Sequence, residues 1–438
     1  MRKMKDSGIA WIGEIPEECD IMRTSRAYSS VLGKMVCSSP ATPADEKLSY
    51  ICAKDVHFDN VDFSDLKMMW FSPKEQELYS LAAGDLLVVE GGAGAGGAAT
   101  IPSGTDVHGI CFQNSLHRIR ATSDAYDTRY LMYYIGMLVQ GDYVDYVCNK
   151  ATIPHFTKDK IMSIPLVRWP IEQQRAIVTF LDAKCSAMNE AIRKAERLIE
   201  KMDAFKQSLI TETVTKGLHP EVARKDSGVE WIGEIPASWK MERLKFLAEV
   251  KTGPFGTQLK ATEYVAEGTP CINVKNIGYG SIKSDDLDFV PPSVVKRLNE
   301  HILRPGDIVF ARKGSIDKHA ITTESESGWL QGSDCIRVRL QADLDHNFFN
   351  YYLANSGLKY YLASLSNGAT MASLNGAMIE DLLILLPTAV EQREIASFLD
   401  TKCAAIDADI AKRRALMERL SAYKRSLIYE VVTGKREV

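Results

Sequence analysis

The sequence predicts an α+β protein with an internal duplication: two tandem mixed α/β bodies and two long helices that pair as a coiled coil. DSGIAWIGEIP at 6–16 returns as DSGVEWIGEIP at 226–236, with nine of eleven letters identical. EQQRAIVTFLD at 172–182 returns as EQREIASFLD at 391–400, and each copy opens a long stretch of helical periodicity. The 220-residue spacing far exceeds the roughly 20–50 residues of a solenoid repeat.

The predicted boundaries divide each half into one body and one helix. The first half comprises a body at 1–168 and a helix at 169–218, and the second comprises a body at 219–386 and a helix at 387–438. The chain has 438 residues, of which 45% are hydrophobic and 25% charged, which is ordinary for globular domains.

Paired short segments extend the duplication into the bodies. The pairs are YICAKDV (50–56) with CINVKNI (271–277), LAAGDLLVV (81–89) with LRPGDIVFA (303–311), and HRIR (117–120) with IRVR (336–339). A Gly-Asp pair before an apolar run is typical of a turn followed by a buried strand, and HRIR and IRVR alternate as strands do. Aromatic-rich stretches at 128–144 and 346–365 predict helices, so both bodies are expected to mix α and β.

Each long helical segment carries one apolar seam with charged flanks. The apolar residues recur at steps of three and four over about four heptads, as in a coiled coil. The residues expected to pair the helices are Leu181, Met188, Ile192, Ile199, Met202, Phe205, Leu209, Leu399, Ile406, Ile410, Met417, Leu420, Tyr423 and Leu427. A lone helix with one apolar stripe is unstable in water, so matched helices are expected to bury their stripes together, with two unrelated surface helices as the alternative.

The ends of the helices are marked by residues that favour caps. Pro170 suits a first helical turn, and Thr388 with Glu391 predicts a capping box. Gly217 and Gly434 are expected to end the two helices.

Composition excludes several classes of protein. No stretch approaches the roughly 18 apolar residues of a membrane span, and no apolar segment of a signal peptide follows the basic N-terminus. The nine cysteines form no Cys-x-x-Cys pair, which favours free thiols in the cytoplasm over a metal site or disulfides. The net charge of −4 means that any DNA-binding surface is a local patch.

The order of these motifs resembles the specificity subunit of a type I restriction-modification system. The resemblance rests on Trp-Ile-Gly-Glu-Ile-Pro, a variable body, a Gly-Asp strand, Glu-Gln…Phe-Leu-Asp and a long helix, all repeated, over 6–218 and 226–436. The first half departs from it at Cys19, where the second half has Trp239, and in a weak counterpart of KTGPFGTQLK at 251–260.

The resemblance implies a non-catalytic DNA-recognition subunit. Each body would be a target-recognition domain that reads one half of a split, asymmetric site in double-stranded DNA. The two long helices would form an antiparallel coiled coil that sets the distance between the bodies, in a pseudo-twofold arrangement. Two methyltransferase subunits are expected as partners, and two restriction/translocase subunits can join them. The chain itself is expected to bind no cofactor or metal, with S-adenosylmethionine, ATP and Mg on the partner subunits.

Candidate DNA contacts follow from the chemistry of readout, which needs Arg, Lys, Asn or Gln at base edges and Lys or Arg at phosphates. The loop FARKGSIDKHA at 310–320 is the strongest candidate, with a solvated turn as its alternative. Arginine pairs on the alternating strands are expected to face outward, as a phosphate stripe or a solvated sheet face. The candidates are Lys54, Arg118, Arg120, His155, Lys275, Asn276, Arg312, Lys313, Lys318, Arg337 and Arg339.

Two other functional classes compete with DNA recognition. One is an enzyme that binds a dinucleotide, because Gly92-x-Gly94-x-x-Gly97 matches the dinucleotide-binding string. Pro102 follows within five residues, so no phosphate-binding helix is expected to begin there. A non-catalytic scaffold that pairs domains on a coiled coil and reads no DNA remains the alternative. The two hypotheses differ in whether the assembled complex shows salt-dependent, sequence-selective DNA affinity.

Overall fold

The computed structural model describes residues 2–92, 94–141, 155–314, 318–341, 344–365 and 373–438. They form two compact units, the first made of Met1–Ala195 with Arg414–Val438 and the second of Glu196–Arg413. Within the described ranges, every helix is too short or too polar to cross a membrane.

Among its described residues, the first unit holds thirteen short strands and three short helices. The strands are β1 Met4–Asp6, β2 Glu14–Pro16, β3 Asp20–Arg23, β4 Tyr28–Leu32, β5 Glu46–Ile51, β6 Val56–His57, β7 Asn60–Val61, β8 Lys67–Phe71, β9 Leu86–Val89, β10 Ala98–Thr100, β11 Ile110–Phe112, β12 Leu116–Ala121 and β13 Pro165–Arg168. The helices are α1 Pro73–Tyr79, α2 Thr128–Gln140 and α3 Lys158–Ser163, with short 3₁₀ turns at Thr24–Arg26 and Ala53–Asp55.

The second unit repeats this plan between the long helices α4 Ile171–Lys216 and α9 Ala389–Val432. Its strands are β14 Arg224–Asp226, β15 Glu234–Pro236, β16 Lys240–Arg243, β17 Ala248–Thr252, β18 Thr269–Ile272, β19 Tyr279–Gly280, β20 Asp288–Val290, β21 Ile308–Ala311, β22 His319–Ile321, β23 Leu330–Gln331, β24 Cys335–Leu340 and β25 Leu383–Leu386. Its helices are α5 Pro292–Arg297, α6 His346–Ala354, α7 Ser356–Leu365 and α8 Gly376–Glu380, with 3₁₀ turns at Leu244–Phe246, Ala261–Glu263, Val274–Asn276, Asn299–His301 and Glu324–Glu326.

The sheet order shows that the two bodies are copies of one fold. The main sheet of the first unit runs β10-β9-β12-β4, and that of the second runs β22-β21-β24-β17 with β19 added in parallel beside β22. A three-stranded sheet accompanies each, β11-β5-β8 in one unit and β20-β18-β23 in the other. The predicted α+β fold with an internal duplication is confirmed.

Within each unit, the start of one long helix packs against the end of the other, so the helices pair antiparallel. Leu181 shares a buried cluster with Leu427 in the first unit, and Leu399 shares one with Ile210 in the second. The helix ends follow the predicted caps. The Thr388 amide donates to the Glu391 carboxylate at 2.9 Å, and the Glu391 amide donates to the Thr388 hydroxyl at 3.3 Å.

Two residues predicted to pair the helices lie in solvent instead. Phe205 is 60% exposed and Tyr423 is 51% exposed, so assigning them to the seam was wrong. The seam advances in alternating steps of four and three, and these steps pass through the neighbours Lys206 and Lys424. The prediction chose the aromatic residue in each helix because it is hydrophobic. The position that continues the seam is the lysine next to it in the sequence.

The Glu-Gln…Phe-Leu-Asp motif anchors each long helix to its body. The buried Gln174 side chain accepts a hydrogen bond from the Asp127 amide at 2.9 Å, and Gln392 accepts one from the Asp345 amide at 2.7 Å. Both aspartates cap an aromatic-rich body helix, α2 or α6. The motif's glutamine therefore fixes the start of that helix against the long one.

The final aspartate of the same motif adds a second anchor. Asp182 accepts a hydrogen bond from the Tyr133 hydroxyl at 2.6 Å, and Asp400 accepts one from the Tyr351 hydroxyl at 2.7 Å. The repeated motif is thus explained by the same two contacts in each unit.

The departure at Cys19 is compensated across a strand pair. Because β3 pairs with β13 from Asp20↔Arg168 onward, Cys19 lies beside Trp169. In the second unit the corresponding ladder places Trp239 beside Pro387. Each unit therefore has one buried indole at this place, from the residue after β13 in the first unit and from the residue before β16 in the second.

Candidate nucleic-acid interface

Two of the predicted contacts, Arg118 and Arg337, point inward. They are 6% and 1% exposed, so the expectation that both members of each arginine pair face outward is wrong. The central sheet is covered on both sides, since β9 sends Val88 into one buried cluster and Val89 into another. Burial lowers the pKa of both guanidinium groups, and each donates to a backbone carbonyl oxygen of its own unit.

Arg120 and Arg339 are partly exposed, but their charges are used internally. Arg120 makes a bidentate pair with Asp85, through Nε at 2.5 Å and Nη2 at 2.8 Å. Arg339 pairs in the same way with Asp307, at 2.7 Å through both nitrogens. Both aspartates are buried and belong to the repeated Gly-Asp turns. This arginine therefore neutralises the buried carboxylate that shapes the turn.

The lysines that follow the matching apolar runs are also paired. Lys54 lies 3.4 Å from the Asp65 carboxylate, and Lys275 lies 3.1 Å from both Asp286 and Asp288. Hydrogen bonds to these carboxylates raise the pKa of both ammonium groups. Their contact with DNA stays a prediction.

Asn276 is fully buried, so its assignment to DNA contact was wrong. Its side-chain oxygen accepts a hydrogen bond from the Asn273 amide at 3.0 Å, and its nitrogen donates to carbonyl oxygens at Lys283 and Asp285. Asp55 closes the same 3₁₀ turn in the first unit by accepting from the Cys52 amide at 2.9 Å. The residue therefore holds a turn of its own unit.

Lys313 and His155 lie beside equivalent backbone bridges. Lys313 pairs with Asp334 at 3.1 Å and its backbone bridges Ser373. His155 is exposed, and its backbone bridges Gly91 in the same antiparallel way. Both remain candidates, although the carboxylate offsets the charge of Lys313.

Arg312 and Lys318 differ from the other candidate cations because each lies over an exposed aromatic ring. The Arg312 guanidinium lies 5.7 Å from the centroid of Phe255, and the Lys318 ammonium lies 6.0 Å from that of Tyr279. Lys359 adds a second ammonium 5.5 Å from Tyr279. The two rings are 58% and 62% exposed. We call these five residues the cation–aromatic face.

The fold places this face at one end of the main sheet of the second unit. Arg312 follows β21, and Lys318 immediately precedes β22, its antiparallel neighbour. Tyr279 lies in β19 on the far side of β22, while Phe255 follows β17. In the part of the chain that the structure describes, no carboxylate forms an ion pair with Arg312, Lys318 or Lys359. These cations are therefore available to an anionic partner.

Sequence reasoning missed Phe255, Tyr279 and Lys359. The available signal was an aromatic residue beside glycine, as in Pro-Phe-Gly at 254–256 and Gly-Tyr-Gly at 278–280. An aromatic residue in a glycine-flanked turn has few neighbours to bury it. Exposure of each ring, however, depends on strands distant in the sequence.

No grouping of three or more His, Cys, Asp or Glu side chains suited to a metal ion occurs among the described residues. The first half's glycine string, with one position outside the described residues, lies between β9 and β10, two antiparallel strands. It therefore opens a strand, not the helix that a dinucleotide-binding turn requires.

Comparison with known proteins finds relatives along the whole chain. Residues 236–414 match the family model described as type I restriction modification DNA specificity domain. The type I restriction enzyme MjaVIII specificity subunit of Methanocaldococcus jannaschii is 23% identical over 437 residues, which are 97% of this chain and 94% of that protein. The EcoKI specificity subunit of Escherichia coli K12 is 25% identical over 209 residues, which are 46% of this chain and 44% of that protein.

Two solved structures share the fold. A chain of a type I R-M system, solved for its complex assembly and conformational transition, superposes with a TM-score of 0.72 at 15% identity, covering 95% of this chain and 98% of that one. The HsdS subunit from Thermoanaerobacter tengcongensis superposes with a TM-score of 0.53 at 14% identity, covering 96% of this chain and 98% of that one.

Proposed function

We propose that this chain belongs to the family of type I restriction-modification specificity subunits and is the DNA sequence-recognition subunit of such a complex. It reads a bipartite, asymmetric site in double-stranded DNA and positions methyltransferase subunits on it. The chain is non-catalytic.

The observation that carries this proposal is the cation–aromatic face. Phosphate binding needs cations that are not already neutralised, and base contact needs planar or donor side chains at the same place. Lys318 meets the first condition, and Arg312, Phe255 and Tyr279 meet the second. The duplicated body supplies two readers, and their different loops make the site asymmetric.

The chemistry of modification would belong to partner subunits. Two equivalent bodies on paired helices offer two equivalent places for methyltransferase subunits, which would bring S-adenosylmethionine. Restriction/translocase subunits with ATP and Mg can join the same complex. The whole assembly would work on DNA in the cytoplasm.

A protein-only scaffold is not favoured. A scaffold has no need of exposed cations held on aromatic rings, and the relatives are named for the specificity of restriction enzymes. It predicts a stable complex whose DNA affinity depends on neither salt nor sequence.

Methylation mapping tests the proposal. The chain is co-expressed with its methyltransferase subunit, and modified adenines are sequenced in a random DNA library. We expect one split motif, with two different fixed halves separated by a fixed gap. A stable complex that methylates no defined sequence, and that binds all sequences equally, would contradict the proposal.

A further inference from the structure

Glu90 in the first unit and Arg312 in the second occupy the same structural position. Without a gap, LAAGDLLVVE at 81–90 aligns with LRPGDIVFAR at 303–312, and each residue directly follows its central strand. The Glu90 amide donates to the Ser115 carbonyl at 2.9 Å, and the Arg312 amide donates to the Asp334 carbonyl at 2.9 Å. The backbone amides of Glu90 and Arg312 therefore make equivalent hydrogen bonds to the segment that precedes the neighbouring strand.

The carbonyl groups of the two residues are held identically as well. The Glu90 carbonyl accepts from the Phe156 amide at 2.6 Å, and the Arg312 carbonyl accepts from the Leu374 amide at 2.8 Å. Phe156 and Leu374 are buried in their units and begin the approach to α3 and α8. With both backbone groups fixed, the side chains leave the two sheets at equivalent points.

The side chains at this shared position have opposite charge, and both are partly exposed. Arg312 rests on the ring of Phe255. No cation among the described residues forms an ion pair with Glu90. At this position the second body presents the hydrogen-bond donors of a guanidinium group, and the first body presents the acceptor oxygens of a carboxylate.

We propose that Arg312 and Glu90 are specificity-determining residues, with Arg312 reading a guanine in one half-site and Glu90 a cytosine in the other. This inference rests on the proposed function. A guanidinium donates two parallel hydrogen bonds to O6 and N7 of guanine, and a carboxylate accepts from the N4 amino group of cytosine. Phosphates repel a carboxylate, so on DNA Glu90 has only base edges to bind. Phe255 would hold the guanidinium in place as a positioning residue.

The test is methylation mapping of the whole complex with variants at each position. Arg312→Ala and Glu90→Ala remove each side chain, and Arg312→Glu with Glu90→Arg exchanges the two charges. Lys296→Ala is the matched control in the second unit, since it removes an exposed cation of α5 that is not a DNA-contact candidate. Glu77→Ala, which removes an exposed acid elsewhere in the first unit, is the control there. Co-purification with the methyltransferase subunit confirms that each variant folds.

We expect Arg312→Ala to relax one guanine position in one half-site by about tenfold or more, with the other half-site unchanged. Glu90→Ala should relax one cytosine position in the opposite half-site, and the charge exchange should invert both preferences. Uniform loss of methylation on all sequences would show a phosphate contact and overturn the inference. Unchanged motifs in folded variants would also overturn it. A native chain that gives no split motif overturns the proposed function itself.

Discussion

The indole ring of Trp169 packs against Gly434, just beyond the end of α9, and its Nε1 donates a hydrogen bond to the Val432 carbonyl at 3.2 Å. Gly434 has a φ of +79°, and a Cβ there would lie 2.7 Å from the ring and 2.5 Å from Pro16. The indole of Trp169, which directly follows β13, therefore closes the end of the helix. In the second unit Trp239 lies against Gly217 in the same way.

We expect Gly434→Ala to lower the free energy of unfolding by about 2–3 kcal/mol. The left-handed backbone contributes about 1–2 kcal/mol, and the clash with the ring and Pro16 adds to it. Gly8→Ala is the control, because Gly8 has a φ of +72° with no atom near the new Cβ. Denaturant midpoints measure both. Equal losses in the two variants would show that the indole contact contributes nothing.

Equivalent polar pairs join the long helices in the two units, and we expect their charges to contribute weakly. Lys206 lies 2.6 Å from Asp407, and Lys424 donates to Asn189 at 2.8 Å, where Asn189 is the counterpart of Asp407. Asn189→Asp should raise the free energy of unfolding by about 0.5 kcal/mol, and Asp407→Asn should lower it similarly, because exposed ion pairs are weak. Thermal midpoints at low and high salt test this. A shift that salt does not reduce would argue against an electrostatic origin.

Two partly exposed cations of the second unit should separate stability from DNA binding. Arg339→Gln should lower the free energy of unfolding by about 3 kcal/mol, since it leaves the buried Asp307 carboxylate unpaired. Lys318→Gln should leave stability unchanged and reduce the slope of log affinity against log salt by about one, equally on all sequences. Urea unfolding and DNA titrations of the complex measure the two effects. A loss of stability in Lys318→Gln would place that residue in the fold and not on DNA.

The first unit should lose stability in mild acid through His117. Burial lowers the pKa of this imidazole from 6.5 to about 4, so the unfolded chain binds a proton more readily than the folded one. The stabilisation is therefore complete above about pH 6.5 and is lost as the pH falls toward 4, by at most about 1.4 kcal/mol per pH unit. His117→Ile, which copies Ile336 of the second unit, should reduce this dependence. Denaturant midpoints from pH 7 to 4.5 test it, and identical slopes for both proteins would refute it.

Much of the fold was predictable because its signals are local or repeated. The capping box at Thr388 depends on residues three apart, and the pairing of the long helices depends on two matching seams. The errors at Phe205 and Tyr423 have a different cause. Two adjacent positions both fit steps of three and four, and only the partner helix selects the one that is buried.

The candidate site was predictable in part. The loop at 310–320 was identified from its charges, but strand alternation placed Arg118 and Arg337 outward because it assumes one solvated face. Packing on both sides of the sheet reversed that orientation. The contacts of Arg312 and Lys318 with aromatic rings could not be predicted from the sequence, because Phe255 and Arg312, for example, are far apart along the chain.

The sequence by itself determined the duplication, the two long helices with their caps and two central strands of each body, because these depend on recurrence and on neighbours within a few residues. Only the tertiary structure decided which cations remain available to DNA. Arg339 reaches Asp307 across 32 positions, while Arg312 meets no carboxylate among the described residues. Whether a charged side chain is paired depends on residues distant in the sequence. Two arginines can therefore differ in role, with one stabilising the fold and the other available to DNA.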